Sequence, residues 1–147
     1  MLDEKNQSSD DSIQMILIAC MKKGGIFIMA TWNFYQLKHH VFICNGSSCM
    51  RNEAEEVTKS IRQEISQKGL ENRIHTTRTR CNGRCQDKCV VVLYPEGIWY
   101  KHFQPSDASS FVETLNKGIP YGQKVSHYYQ NGKFQRTDHT VKGVLKK

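Results

Sequence analysis

Cys81-Asn82-Gly83-Arg84-Cys85-Gln86-Asp87-Lys88-Cys89 runs directly into Val90-Val91-Val92-Leu93-Tyr94. Three cysteines at four-residue intervals, set in a polar loop between a basic extended segment and an apolar strand, are not needed to fill a core. They read as ligands. Cysteines acting as small buried apolar residues fit poorly with equal spacing in so polar a loop. Upstream, Cys44-Asn45-Gly46-Ser47-Ser48-Cys49 offers a second loop of the same kind. The fold follows from how two such loops can be brought together.

Working outward, His39–Cys44 is rich in β-branched and aromatic residues and ends at Asn45-Gly46, as a buried strand entering a loop does. A helix is predicted next, with Asn52 as N-cap, Glu55 as its capping-box partner, and Val57, Ile61 and Ile65 on one apolar face. Glu55 with Lys59 and Glu64 with Lys68 are spaced as i,i+4 ion pairs, and Gly69 stops the helix. Residues 73–80 alternate as a second strand that delivers Cys81. Strand, helix, strand in that order predicts a right-handed unit with parallel strands. Residues 90–94 and Ile98–Tyr100, joined by Pro95-Glu96-Gly97, read as a hairpin. Ser106 is the expected cap of a second helix, with Ala108, Phe111, Val112 and Leu115 as its stripe and Gly118 as its stop. The order β-α-β-β-β-α, an α/β arrangement with a mixed sheet, matches the thioredoxin-like architecture.

The chain has 147 residues, enough for one domain with a real core. Its mean hydropathy of -0.60 is polar for a globular protein, which implies that part of the length is not packed. Residues 1–28 carry three basic against four acidic side chains, 29–118 twelve against nine, and 119–147 six against one, so most of the basicity sits in the tail. Tyr128, Tyr129 and Phe134 lie among Lys124, Lys133 and Arg136 there, but a solvated basic tail explains this composition more readily than nucleic-acid binding. The expected organisation is an N-terminal extension over 1–28, a domain over 29–118 and a basic tail over 119–147. The tail lacks a sustained period; disorder and a hairpin through 125–129 and 133–136 are both open. Lys22-Lys23-Gly24-Gly25 can be encoded by a sequence containing a ribosome-binding site, which marks Met29 as the expected start and places Cys20 outside the function. The apolar run over 15–21 is too short to span a bilayer. With no secretory context, closely spaced cysteines point to metal or redox work in the cytoplasm.

Adjacent parallel strands end about 5 Å apart, so Cys44 and Cys49 on one loop should meet Cys81 and Cys85 on the other. Four thiolates are what a [2Fe-2S] cluster takes, two on each iron. Gly46 and Gly83 would let backbone N–H groups approach the sulfurs, and Arg78, Arg80, Arg84 and Lys88 would place positive charge beside them. Zinc on the same four cysteines is the rival, although zinc knuckles favour two-residue gaps and these are four and three. A redox-active disulfide ranks third, since no Cys-x-x-Cys precedes a helix. His39 and His40 could replace a cysteine as ligands, but a full set of four leaves no vacancy. His75, His102, His127 and His139 are scattered, and Trp99 and Tyr100 read as core or interface residues. No Ser/His/Asp set, paired carboxylates or phosphate loop suggests an enzyme.

Cys44-x4-Cys49, a helix, Cys81-Asn82-Gly83-Arg84-Cys85, the valine run and Tyr94-Pro95-Glu96-Gly97-Ile98-Trp99-Tyr100 together resemble the thioredoxin-like [2Fe-2S] ferredoxin family over about 40–118. The resemblance implies Cys44, Cys49, Cys81 and Cys85 as cluster ligands. It also implies one-electron transfer with redox partner proteins and a homodimer; no membrane partner is expected, the apolar run over 15–21 being too short to span a bilayer. The alternative is a docking module in which the same site holds zinc, or a cluster without a carrier role, accessory to a biosynthetic enzyme such as one of the cobalamin pathway. Cys89 departs from the family pattern by standing where proline is common. It is read as an inert residue entering the strand, with replacement of Cys85 as ligand, or rescue of the cluster when another ligand is lost, as the competing roles.

Overall fold

A computed structural model describes residues 29–147. The readings of 1–28 as an extension, of Met29 as the start and of Cys20 as idle lie outside or at the edge of the described residues. Strand β1 (His39–Cys44) lies beside β2 (Ile74–Thr79) in parallel, with Val41 opposite Thr76 and Cys44 opposite Thr79. The crossover between them holds a short helix α1 (Ser47–Met50) and the longer α2 (Ala54–Gln67). On the other side of β1 runs antiparallel β3 (Val91–Tyr94), followed by β4 (Ile98–Tyr100). Helix α3 (Ala108–Asn116) comes next, then β5 (Val125–Gln130) and β6 (Lys133–Arg136). The sheet is mixed and six-stranded, in the order β2-β1-β3-β4-β5-β6.

Alternation along the strands decides which face is covered. Val41 and Ile43 of β1, Val91 and Leu93 of β3, and Tyr100 of β4 are fully buried on one face. Val57, Ile61 and Ile65 of α2 and Phe111, Val112 and Leu115 of α3 complete that core cluster. Tyr100 meets Phe111 edge-on with ring centroids 5.5 Å apart. Each large side chain so buried contributes about 1.5–3 kcal/mol, so this sheet–helix layer, not the cysteine loops, supplies most of the fold's stability. The opposite face, lined by His40, Phe42, Val92 and Trp99, carries no helix among the described residues, and these four side chains remain half-buried.

Several local expectations change. Asn52 does not cap α2: the cap position is Glu53, in the left-handed region at φ 64°. The extra turn of α1 takes Asn52 instead, and its side-chain Nδ2 donates to Ser48 O at 2.9 Å. Glu55 reaches across to Arg78 on β2 at 2.8 Å, not along the helix to Lys59, whereas Glu64 and Lys68 pair at 2.8 Å as read. A 3-10 turn, Pro105–Asp107, precedes α3 and carries the capping box, with Gln104 as its N-cap and Asp107 Oδ2 accepting from Gln104 N–H at 2.7 Å, so Ser106 lies inside the turn and caps nothing. The two possibilities for the tail resolve in favour of the hairpin. β5 adds to the β4 edge, with Trp99 opposite His127, and β6 returns along β5.

Candidate metal centre

The parallel ladder carries the two cysteine loops to the same end of the sheet. Asn45 N–H, one residue past β1, still donates to Thr79 O at 2.8 Å, and Cys81 follows two residues after β2 ends. The loops then touch. A Cβ built on Gly46 would lie 2.9 Å from both Cα and Cβ of Cys81, closer than side-chain carbons sit, so only glycine lets the backbones meet here. Gly46 permits this close approach of the two loops.

Cys44, Cys49, Cys81 and Cys85 line one small crevice, with Ser48 and Arg84 also in its wall. Cys44 and Cys49 are buried at its inner side, Cys81 and Cys85 are exposed at its outer side, and all four are free thiols. Cys81 Sγ and Cys85 Sγ are 3.5 Å apart. Two sulfurs bonded to one tetrahedral metal at about 2.3 Å lie about 3.7 Å from each other, so this pair already stands near the spacing of two ligands on one centre. Among the described residues no three of His, Cys, Asp and Glu form a group that could hold a metal ion. A two-iron cluster divides its four thiolates between two centres, and a donor set of four cysteines in one crevice fits it.

Gly83 N–H donates to Cys81 Sγ at 3.3 Å, from a residue at φ +76° that glycine adopts freely. That bond, helped by the Cys85 thiol, holds the Cys81 pKa below its ordinary value. Burial does the opposite to Cys49, whose pKa is pushed up to about 12 although a backbone hydrogen bond at Val90 pulls the other way. Cys49 is therefore held as the neutral thiol, and a metal bound there would have to displace its proton.

Cys89 lies outside the crevice lining. It is 2% exposed, its Sγ donates to Asn52 O at 2.6 Å, and burial raises its pKa to about 11. The Lys88–Cys89 peptide is cis. The expected crowd of positive charge is thinner than its sequence count. Arg78 is engaged by Glu55, Arg80 and Lys88 are exposed, and only Arg84 of the four lines the crevice. Its partner Asp87, at 2.6 Å from Nε, was missed in the sequence, although the i,i+3 spacing of the two residues was there to be read. His39 pairs with Glu96 and His40 with Thr77 Oγ1, and neither histidine is in the crevice lining.

No protein-family profile matches the chain. A Priestia megaterium protein whose name reads "Putative 2Fe-2S ferredoxin" is 51% identical over 85 residues, which are 58% of this chain and 66% of that relative, just under two thirds of its length. The 2Fe-2S ferredoxin of Clostridium pasteurianum is 31% identical over 85 residues, covering 52% of this chain and 83% of the relative. Among solved structures, the wild-type thioredoxin-like [2Fe-2S] ferredoxin of Aquifex aeolicus superposes with a TM-score of 0.55 at 30% identity, over 60% of this chain and 95% of that one. Fold, sequence and the free-cysteine crevice agree, and the chain belongs to the thioredoxin-like [2Fe-2S] ferredoxin family.

Proposed function

We propose that Cys44, Cys49, Cys81 and Cys85 hold a [2Fe-2S] cluster and that the protein carries single electrons between redox partner proteins. The observation that carries this reading is the single crevice lined by those four thiols where Gly46 packs on Cys81. When bound, such a cluster supplies a one-electron couple whose potential depends on hydrogen bonds to sulfur and on exposure. The protein's own groups divide that work. Cys81 and Cys85 form the exposed side through which a partner would approach, Gly83 N–H offsets negative charge on Cys81, and the buried Cys44 and Cys49 keep water from the inner side. Anaerobic purification followed by iron, sulfide and zinc analysis tests the reading. Equimolar iron and sulfide with a visible chromophore support it, and a colourless protein with zinc on the four cysteines overturns it in favour of a structural or docking module.

The helix-free sheet face supports a homodimer as part of this proposal. Phe42, Val92 and Trp99 are half-buried there, and Tyr94 at its edge is 61% exposed. A cytoplasmic setting is also proposed, supported by five free thiols among the described residues. No helix among the described residues is long and apolar enough to cross a membrane.

A further inference from the structure

The segment after β6 returns to the cysteine loops and is fastened on its way. Lys101 Nζ donates to His139 O at 2.5 Å and to Thr140 Oγ1 at 2.7 Å, and Arg136 Nη1 donates to Thr140 O at 2.5 Å. Thr137 and Thr140 join their hydroxyls at 2.6 Å. So anchored, the chain presents the carbonyl of Val141 to Arg84, whose Nη2 donates to it at 2.6 Å. Gly143 follows so closely that a Cβ there would stand 3.2 Å from Arg84 Nη1.

Arg84 is gripped from its other side as well. Its Nε and Nη2 bond Asp87 Oδ2 at 2.6 and 2.5 Å. The Asp87 side chain is 2% exposed and its Oδ1 has no hydrogen-bond partner, so this buried charge depends on Arg84. Residues 84 and 87 bracket Cys85, and Arg84 also forms part of the crevice wall. A planar fork can bond a carboxylate and a carbonyl at once, whereas a lysine ammonium on a flexible stem holds no such fixed geometry.

We infer that Arg84 is a positioning residue for the cluster, latched over the cysteine crevice by Asp87 on one side and by the Val141 carbonyl on the other. The segment beyond β6 is thereby part of the electron-transfer site. This rests on the cluster reading above. Two roles follow for the latch: it holds the Cys81–Cys85 loop in its ligand geometry, and it keeps a positive charge beside the site, where charge favours the reduced state. Losing the Val141 bond leaves Arg84 restrained by Asp87 alone.

The test compares the full chain with a chain ending at Thr140, with Arg84→Lys, and with the two combined. In the metal-free proteins, alkylation of Cys81 and Cys85 is followed by mass spectrometry. In the loaded proteins, bleaching by a chelator and the midpoint potential are measured. Each single change is expected to speed alkylation and bleaching by about tenfold, the worth of one charge-assisted hydrogen bond, and to move the potential negative. The combination should do little more than Arg84→Lys alone, because the truncation acts only through the bond that Arg84 makes to Val141 O. Effects that multiply, or a truncation that leaves rates and potential at the full-chain values, overturn the latch. Should Arg84→Lys fail to fold, the truncation alone decides. A full chain that takes up no iron and sulfide overturns the cluster reading itself, and the inference with it.

Discussion

Gly46 and Cys81 meet backbone to backbone, with room for a hydrogen but not for a methyl group between them. This contact joins the loop leaving β1 to the loop leaving β2. Gly46→Ala should therefore force the two loops apart, and overpacking of this kind costs about 1–3 kcal/mol. The expected outcome is a protein with native far-ultraviolet circular dichroism but reduced iron and sulfide per chain. Full cluster content in Gly46→Ala would show that the contact is incidental.

The two cysteines at the ends of the Cys85–Cys89 span should behave oppositely. Cys89 faces Asn52 O from outside the crevice, and serine can donate the same bond, so Cys89→Ser should keep iron, sulfide and the visible spectrum. Cys85→Ser should bleach them. The reverse pattern would make Cys89 the ligand.

The uncovered sheet face predicts an oligomeric state. Sedimentation equilibrium of the loaded protein should give a dimer. Tyr94→Arg places a charge on an exposed position of that face and should yield a monomer that retains its colour. A wild type that sediments as a monomer removes the homodimer from this account.

Acid should loosen the fold through His40. Its ring accepts or donates at Thr77 Oγ1 across 2.8 Å, stacks on Phe42 at 4.0 Å and meets His75 edge-on at 4.9 Å. Burial first, and then the like charge of His75, hold its pKa below the ordinary value of 6.5. The unfolded chain therefore binds this proton at a higher pH than the folded one. Stability is undiminished above about pH 6.5 and falls as the pH drops below it. Urea midpoints measured between pH 7.5 and 5.5 should decline for the wild type, and His40→Gln should flatten that decline. Equal slopes would exclude His40 as a source of the acid sensitivity.

Much of this architecture was legible because hydrophobic alternation and ligand spacing are local signals. Val41, Ile43, Val91 and Leu93 announce strands, and Cys44, Cys49, Cys81 and Cys85 stand out by type and spacing at or just beyond the ends of two strands. Parallel pairing of β1 and β2 follows from handedness once the intervening helix is recognised. What escaped depended on tertiary partners. Glu55 chose Arg78 over Lys59 because β2 lies within reach of α2, a distance no helix spacing encodes. Asn52 lost its capping role to a one-turn helix that offers little periodicity to detect. The β5–β6 hairpin carries exposed polar and aromatic residues on an edge, so its strands lack the buried alternation that marked β1 and β3. Cys89 was already set apart by standing where the family commonly has proline; its hydrogen bond to Asn52 O outside the crevice lining needed the tertiary structure.

The proposed two-iron centre on the four-cysteine crevice would exchange one electron. Reductive titration of the anaerobically purified protein, followed by visible absorption and electron paramagnetic resonance, tests it most directly. One electron taken up per cluster, partial loss of visible absorption and a paramagnetic signal from the reduced [2Fe-2S] state are expected. A colourless protein with zinc bound, or a chromophore that accepts no electron, would contradict it.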